Sequence, residues 1–171
     1  LISSDGPHAH YYIRMSWVKV FKAMGYEVAL WHKDQKPAFD AFDEFEPDLF
    51  MGQTYHINEA LIKCIKQRPH MKVVMRASDW GDMQKDIDLK KYPILVAQDK
   101  EKWLMEKLKK ETGKPDFVHN HYTQNWIDVT HNKWKEIGIK PISLIHGADI
   151  FDFYLRPPAS ELKCDIGFVG G

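Results

Sequence analysis

The chain is short of cysteine and of net charge, and each shortage closes off a class of protein. Two cysteines among 171 residues, Cys64 and Cys164, form neither a disulfide framework nor the paired spacing of a zinc or redox site. Both sit in apolar stretches and read as small core residues of a reduced, cytoplasmic protein. Lys plus Arg number 24 and Asp plus Glu number 24, so the formal charge is zero and no attraction to nucleic acid is expected. No apolar run approaches the ~20 residues of a membrane span. A GxxxxGK[ST] loop is absent and the first strand lacks GxGxxG, which removes a phosphate loop and argues against a nicotinamide cofactor. The opening "LISS" reads as mid-strand. The closing "CDIGFVGG" reads as a buried strand running into a turn, so both ends are expected to continue in a longer protein.

What is present is aromatic content, 13% of residues with six Trp, and a regular alternation of short apolar runs with longer helical segments. Strands are expected at Leu1–Ser3, Glu27–Trp31, Asp48–Met51, Lys72–Met75, Ile94–Ala97, Asp116–Val118 and Ile142–Ile145. Ile57, Ala60, Leu61, Cys64 and Ile65 fall on one helical face, as do Ile13, Trp17, Phe21 and Met24 in a first helix that Gly25 closes. Asp99 and Thr123 are expected to cap helices that end at Gly113 and Gly138. Strands alternating with helices imply βαβ units. The expected fold is therefore α/β, a Rossmann-like, doubly wound parallel sheet with helices on both faces and Leu1–Ser3 in the middle. Val28, Leu30, Val73, Val74, Leu95 and Val96 should be buried in it, and so should Phe117, Val118, Leu144 and Ile145.

In such a sheet ligands bind at the carboxyl ends of the strands, where loops and helix N-termini converge. The segments there are "SDGPHAH", "GQTYH", "RASDWGD", "HNHYTQN" and "HGAD". They hold His8, His10, His56, His119, His121 and His146, six of the nine histidines, which packing alone does not explain. His8-x-His10 and His119-x-His121 have spacings that zinc or iron sites use. No carboxylate stands at a matching spacing, so polar histidines lining a cleft are preferred and no metal is expected. Tyr55, Asp79, Trp80 and Asp149 join the cleft candidates; an exposed Trp beside a carboxylate suits a sugar or base face.

Three stretches resemble the N-terminal domain of GT-B-fold glycosyltransferases, nearest to the CgeB-like (spore maturation) group. "FKAMGYEVALW" resembles the family's "LxxxGHEV" helix-to-strand close, and "FDEFEPDLFMG" its "PDLV" approach to the third strand. "WKEIGIKPISLIHGADIFDFY…CDIGFVGG" resembles the interdomain passage in which "LPxGxDxxxF" leads to "DIxFVG". The resemblance implies an acceptor-side domain over 1–150, an interdomain linker over 151–163 and, at 164–171, the first strand of a C-terminal donor-binding domain. Gly170 and Gly171 would let that backbone approach the donor's phosphates. It further implies transfer of a sugar from a nucleotide-sugar donor, as co-substrate rather than cofactor, to a hydroxyl of a carbohydrate or protein acceptor. By the family's spacing His10 stands where inverting members carry the general base, with Asp5 as an orienting carboxylate. Two other readings stand beside it: a stand-alone flavodoxin-like binding or regulatory module, and a metal-dependent hydrolase built on the HxH pairs.

Overall fold

A computed structural model describes residues 1–4, 9–77 and 93–144, with side chains over 1–4, 11–77 and 102–144. Six strands, β1 (Ile2–Ser4), β2 (Leu30–His32), β3 (Leu49–Gln53), β4 (Lys72–Arg76), β5 (Phe117–Asn120) and β6 (Lys140–Ser143), form one sheet in the order β2-β1-β3-β4-β5-β6. Every pairing is parallel. The connecting helices are α1 (Ala9–Ala23), α2 (Ala38–Phe45), α3 (Glu59–Lys66), α4 (Pro93–Thr112), α5 (Gln124–Thr130) and α6 (Asn132–Glu136), with a 3-10 turn over Thr54–His56 after β3. The expected Rossmann-like, doubly wound α/β fold is what the chain adopts. β1 is an interior strand but lies one place from the edge rather than at the centre.

The order reverses at β1. The chain steps from β1 outward to β2, then returns past β1 to β3 and continues in the other direction to β6. Right-handed crossovers then put helices on opposite faces for the two directions. Accordingly Trp17, Val18 and Phe21 of α1 pack on Ile2, Met51 and Leu30 on one face. The larger core lies on the other, where Phe42, Leu61, Ile65, Met105, Leu108 and Trp134 of the later helices cover Trp31, Phe50, Val73, Met75 and Val118.

Local signals explain most boundaries. Asn58 precedes α3 and its side-chain oxygen accepts from Leu61 N at 2.9 Å, while Lys63 and Lys66 fill the last turn. The glycines at the three helix ends, Gly25, Gly113 and Gly138, all take positive φ. Thr123 occupies the N-cap of α5 without a side-chain bond, and the single helix expected from there to Gly138 is broken in two at His131.

Other expectations fail. Ile94–Ala97 is not a strand; its backbone is the first turn of α4, which begins at Pro93. A four-residue apolar run carries no period that separates strand from helix, and Pro93 sits where a helix tolerates it best. Asp99 therefore lies inside α4 rather than at its cap. Phe117 and Leu144 are 39% and 38% exposed, not buried. Phe117 is paired with Val74 and so shares its face of the sheet, and neither belongs to the cluster that α1 covers. Val28, Leu30 and Val74 are half-buried, whereas Val73 and Val118 are buried as expected. Leu95, Val96, Ile145, the 151–163 linker and the 164–171 strand lie outside the residues whose side chains are described.

Candidate functional site

Parallel register makes the sheet readable row by row, because paired residues point to the same face and alternate residues to opposite faces. On the α1 face one row runs Leu30, Ile2, Met51, Val74, Phe117 and Lys140. It is apolar except at its last member. Two residues further on, the next row runs His32, Ser4, Gln53, Arg76, His119 and Ile142, with Ser4 placed beside Gln53 by continuing the Ile2–Met51 register. Ser4, Gln53, Arg76 and His119 are all buried. One step along the strands thus exchanges an apolar core for a buried polar layer, at the end where α/β sheets bind ligands.

Helix α1 roofs part of this layer. The Trp17 ring lies 5.4 Å from that of His119, the Tyr11 ring lies 6.1 Å from His32, and Arg14 is buried along the same helix. On the opposite face Ser3 Oγ hydrogen-bonds with His56 Nδ1 at 3.2 Å, which ties the turn after β3 to the end of β1. The ends of β4 and β5 are laced together: Ala77 N donates to His119 O at 2.9 Å, and Asn120 Nδ2 donates to Ala77 O at 3.2 Å. Asn120 Oδ1 accepts from His121 N at 2.7 Å. Burial, and then the positive charge of Arg76, hold the His121 imidazole below its ordinary pKa, so it is a neutral base near pH 7.

Gly52 makes this packing feasible. A Cβ on it would stand 2.6 Å from Met75 Sδ and 2.7 Å from a Phe50 ring carbon, so only glycine lets β4 send Met75 across β3 immediately beneath Gln53.

Of the residues expected in the cleft, His119 is buried in the polar layer and His121 is half-buried beside it. Tyr55 is 38% exposed, in the turn after β3, its ring edge-on to His56 at 4.5 Å. His56 is itself a buried brace rather than a cleft group. The backbone of His10 lies in the first turn of α1, directly after β1, which puts it at the same sheet edge as His119; its side chain is outside the described residues. Asp5, His8, Asp79, Trp80, His146, Asp149, Gly170 and Gly171 also lie outside them. Sequence reasoning passed over Ser4, His32, Gln53, Arg76 and Asn120. Each is a polar residue closing an apolar strand, a signal that becomes visible only when the strand ends are known.

Among the described residues no group of three His, Cys, Asp or Glu side chains could hold a metal ion. No helix among the described residues is long and apolar enough to cross a membrane. No family model, curated protein or solved structure matches the chain.

Proposed function

We propose that this chain is the acceptor-side domain of a glycosyltransferase of the GT-B type, similar to the CgeB-like group, and that the polar edge of the sheet receives the acceptor. The observation that carries the reading is where the three resembling stretches fall. "FKAMGYEVALW" spans the end of α1, the left-handed Gly25 and the start of β2; "PDLFMG" leads into β3; "WKEIGIKPIS" spans α6, the left-handed Gly138 and β6. These are the helix-to-strand junctions at which the family's motifs belong. The polar row also ends the strands on the side of the sheet where α/β folds bind ligands, which agrees with this reading.

In this reading His10, at the start of α1, takes the proton from the acceptor hydroxyl as that oxygen attacks the anomeric carbon of the nucleotide-sugar donor. The nucleoside diphosphate leaves with the electron pair of the broken bond. Asp5 orients the base, and the donor's phosphates are held outside the described residues, with Gly170 and Gly171 in the approach. The buried His119 and the neutral His121 line the acceptor side. The protein carrying this chain, incubated with a panel of nucleotide sugars and candidate acceptors, is expected to release nucleoside diphosphate. Absence of release with every donor would sink the reading.

One observation favours a second. The first five strands follow the order β2-β1-β3-β4-β5, that of flavodoxin-like modules, whose ligand sits at the β1/β3 switch point. A stand-alone binding module with that order would bind a small ligand at the strand ends and release no nucleotide in the same assay.

A further inference from the structure

Helix α1 covers only part of its own face of the sheet. Its cluster rests on Leu30, Ile2 and Met51, so it is centred on β1 with β2 and β3 to either side. Beyond β3 the same face carries Val74, half-buried, and Phe117, 39% exposed; at the β6 edge Leu144 is 38% exposed. The flank of α1 turned toward these strands is apolar as well. Trp17 reaches His119 of β5, and Val20 and Met24, three and seven residues on, lie on that side of the helix and are 43% and 63% exposed. Parallel sheets bury both faces as a rule, and a contiguous apolar surface of this kind marks a place of interaction. From it we infer a docking trough on the α1 face of β4–β6 that takes one acidic, amphipathic helix of a partner protein.

Geometry selects a helix. Two strand spacings, about 10 Å, lead from β1 to β4, and that is the distance at which two helices pack side by side. A second helix beside α1 is therefore centred on β4 and, being about 10 Å across, spreads over β5. Strands of four or five residues give it a floor about 15 Å long, the length of roughly ten helical residues. Charge selects an acidic one. Lys72 and Lys140 stand exposed at the amino end of this floor. No Asp or Glu lies on α1 or among the strand residues turned to this face. The helices of the opposite face match their bases with carboxylates, Arg68 with Asp43, Lys107 with Glu59 and Lys135 with Asp128. Lys72 and Lys140 form no such ion pair among the described residues. The same charges disfavour a second copy of this chain, whose α1 would bring Lys19 and Lys22 to these lysines and no acid. The inference stands apart from the glycosyltransferase reading.

The test uses two synthetic helical peptides of about 15 residues, long enough to hold a helix. Both carry one leucine stripe at helical spacing; the other positions are Glu and Ala in the first peptide, Lys and Ala in the second. Each is titrated into the isotope-labelled 171-residue chain and into the protein that carries it. The Glu peptide is expected to shift the NMR signals of Val74, Phe117 and the Trp17 indole in both proteins, less so as salt is raised, and the Lys peptide to leave them in place. The double variant Lys72→Glu, Lys140→Glu changes two exposed side chains, so it should fold as the parent does. It should weaken the Glu peptide about two- to thirtyfold, the worth of two exposed ion pairs, and let the Lys peptide bind. No shift with either peptide, or equal binding of both, overturns the trough. Sedimentation showing a dimer that Phe117→Ala disperses would assign the face to a second copy and overturn the partner helix. Binding to the 171-residue chain but not to the protein that carries it would place the cover within the same polypeptide, with the same consequence.

Discussion

Gly52→Ala is the substitution for which the structure gives the clearest magnitude. The new methyl would stand 2.6 Å from Met75 Sδ, 2.9 Å from Met75 Cε and 2.7 Å from a Phe50 ring carbon, all well inside van der Waals contact. Neither neighbour has free space to move into, since Met75 and Phe50 are both fully buried in the large core. Relief therefore requires an unfavourable rotamer or separation of β3 from β4. Overpacking of this kind costs about 1–3 kcal/mol. For a chain of this length that lowers the melting temperature by roughly 3–10 °C, measured by calorimetry or circular dichroism. Gly25→Ala is the control. Its Cβ meets nothing within 4 Å, but its φ of 88° is left-handed, so the cost there is conformational, about 1–2 kcal/mol, and independent of any neighbour. The two mechanisms separate in double variants with Met75→Ala. Removing the Met75 side chain should rescue part of the Gly52→Ala loss, with a coupling of about 0.5–3 kcal/mol, and leave the Gly25→Ala loss untouched. A Gly52→Ala protein with unchanged stability, or strict additivity with Met75→Ala, would refute the close-approach argument.

Three further outcomes are expected. His121 has its folded pKa below that of a free imidazole, so the unfolded chain binds the proton more readily; stability from this group is complete above about pH 6.5, the ordinary histidine value, and is lost as pH falls through the depressed folded value. His121→Gln should flatten that part of the stability profile between pH 7.5 and 5, measured by urea unfolding, and an unchanged difference between the two proteins would contradict it. Cys64 is fully buried and burial pushes its thiol up to about 11, so at pH 8 about one molecule in a thousand is thiolate. Native protein should react with a thiol reagent at Cys64 only as fast as it unfolds, checked by mass spectrometry with and without denaturant. Under the glycosyltransferase proposal, His10→Ala in the protein carrying this chain should cut turnover roughly 10²–10⁴-fold with the melting temperature held, and undiminished turnover would remove His10 as the base.

The α/β class, all six strand positions to within a few residues, and the glycine helix ends were legible in the sequence, because each rests on a local cause. Alternating apolar runs and a glycine closing a helix with positive φ act over a handful of residues. Ile94–Ala97 was misread for the same reason in reverse. Its four apolar residues are too few to show a period, and the charged sequence after them carries the helix onward from Pro93. At the candidate site, the edge that holds His119 and His121 followed from topology alone, since every parallel strand ends on the same side of the sheet.

By itself the sequence determined which residues could be strands and helices, which loops carry the histidines, and that no cysteine pairing or charge excess defines the protein. Only the tertiary structure decided strand order and register, and these decided everything about the polar layer. Ser4, His32, Gln53, Arg76 and His119 are scattered over more than a hundred residues and share no motif. They form one row because parallel pairing sets each beside the next and the pleat turns all of them to the α1 face. Register is a property of pairs of strands rather than of any one segment, so no local pattern could have announced it.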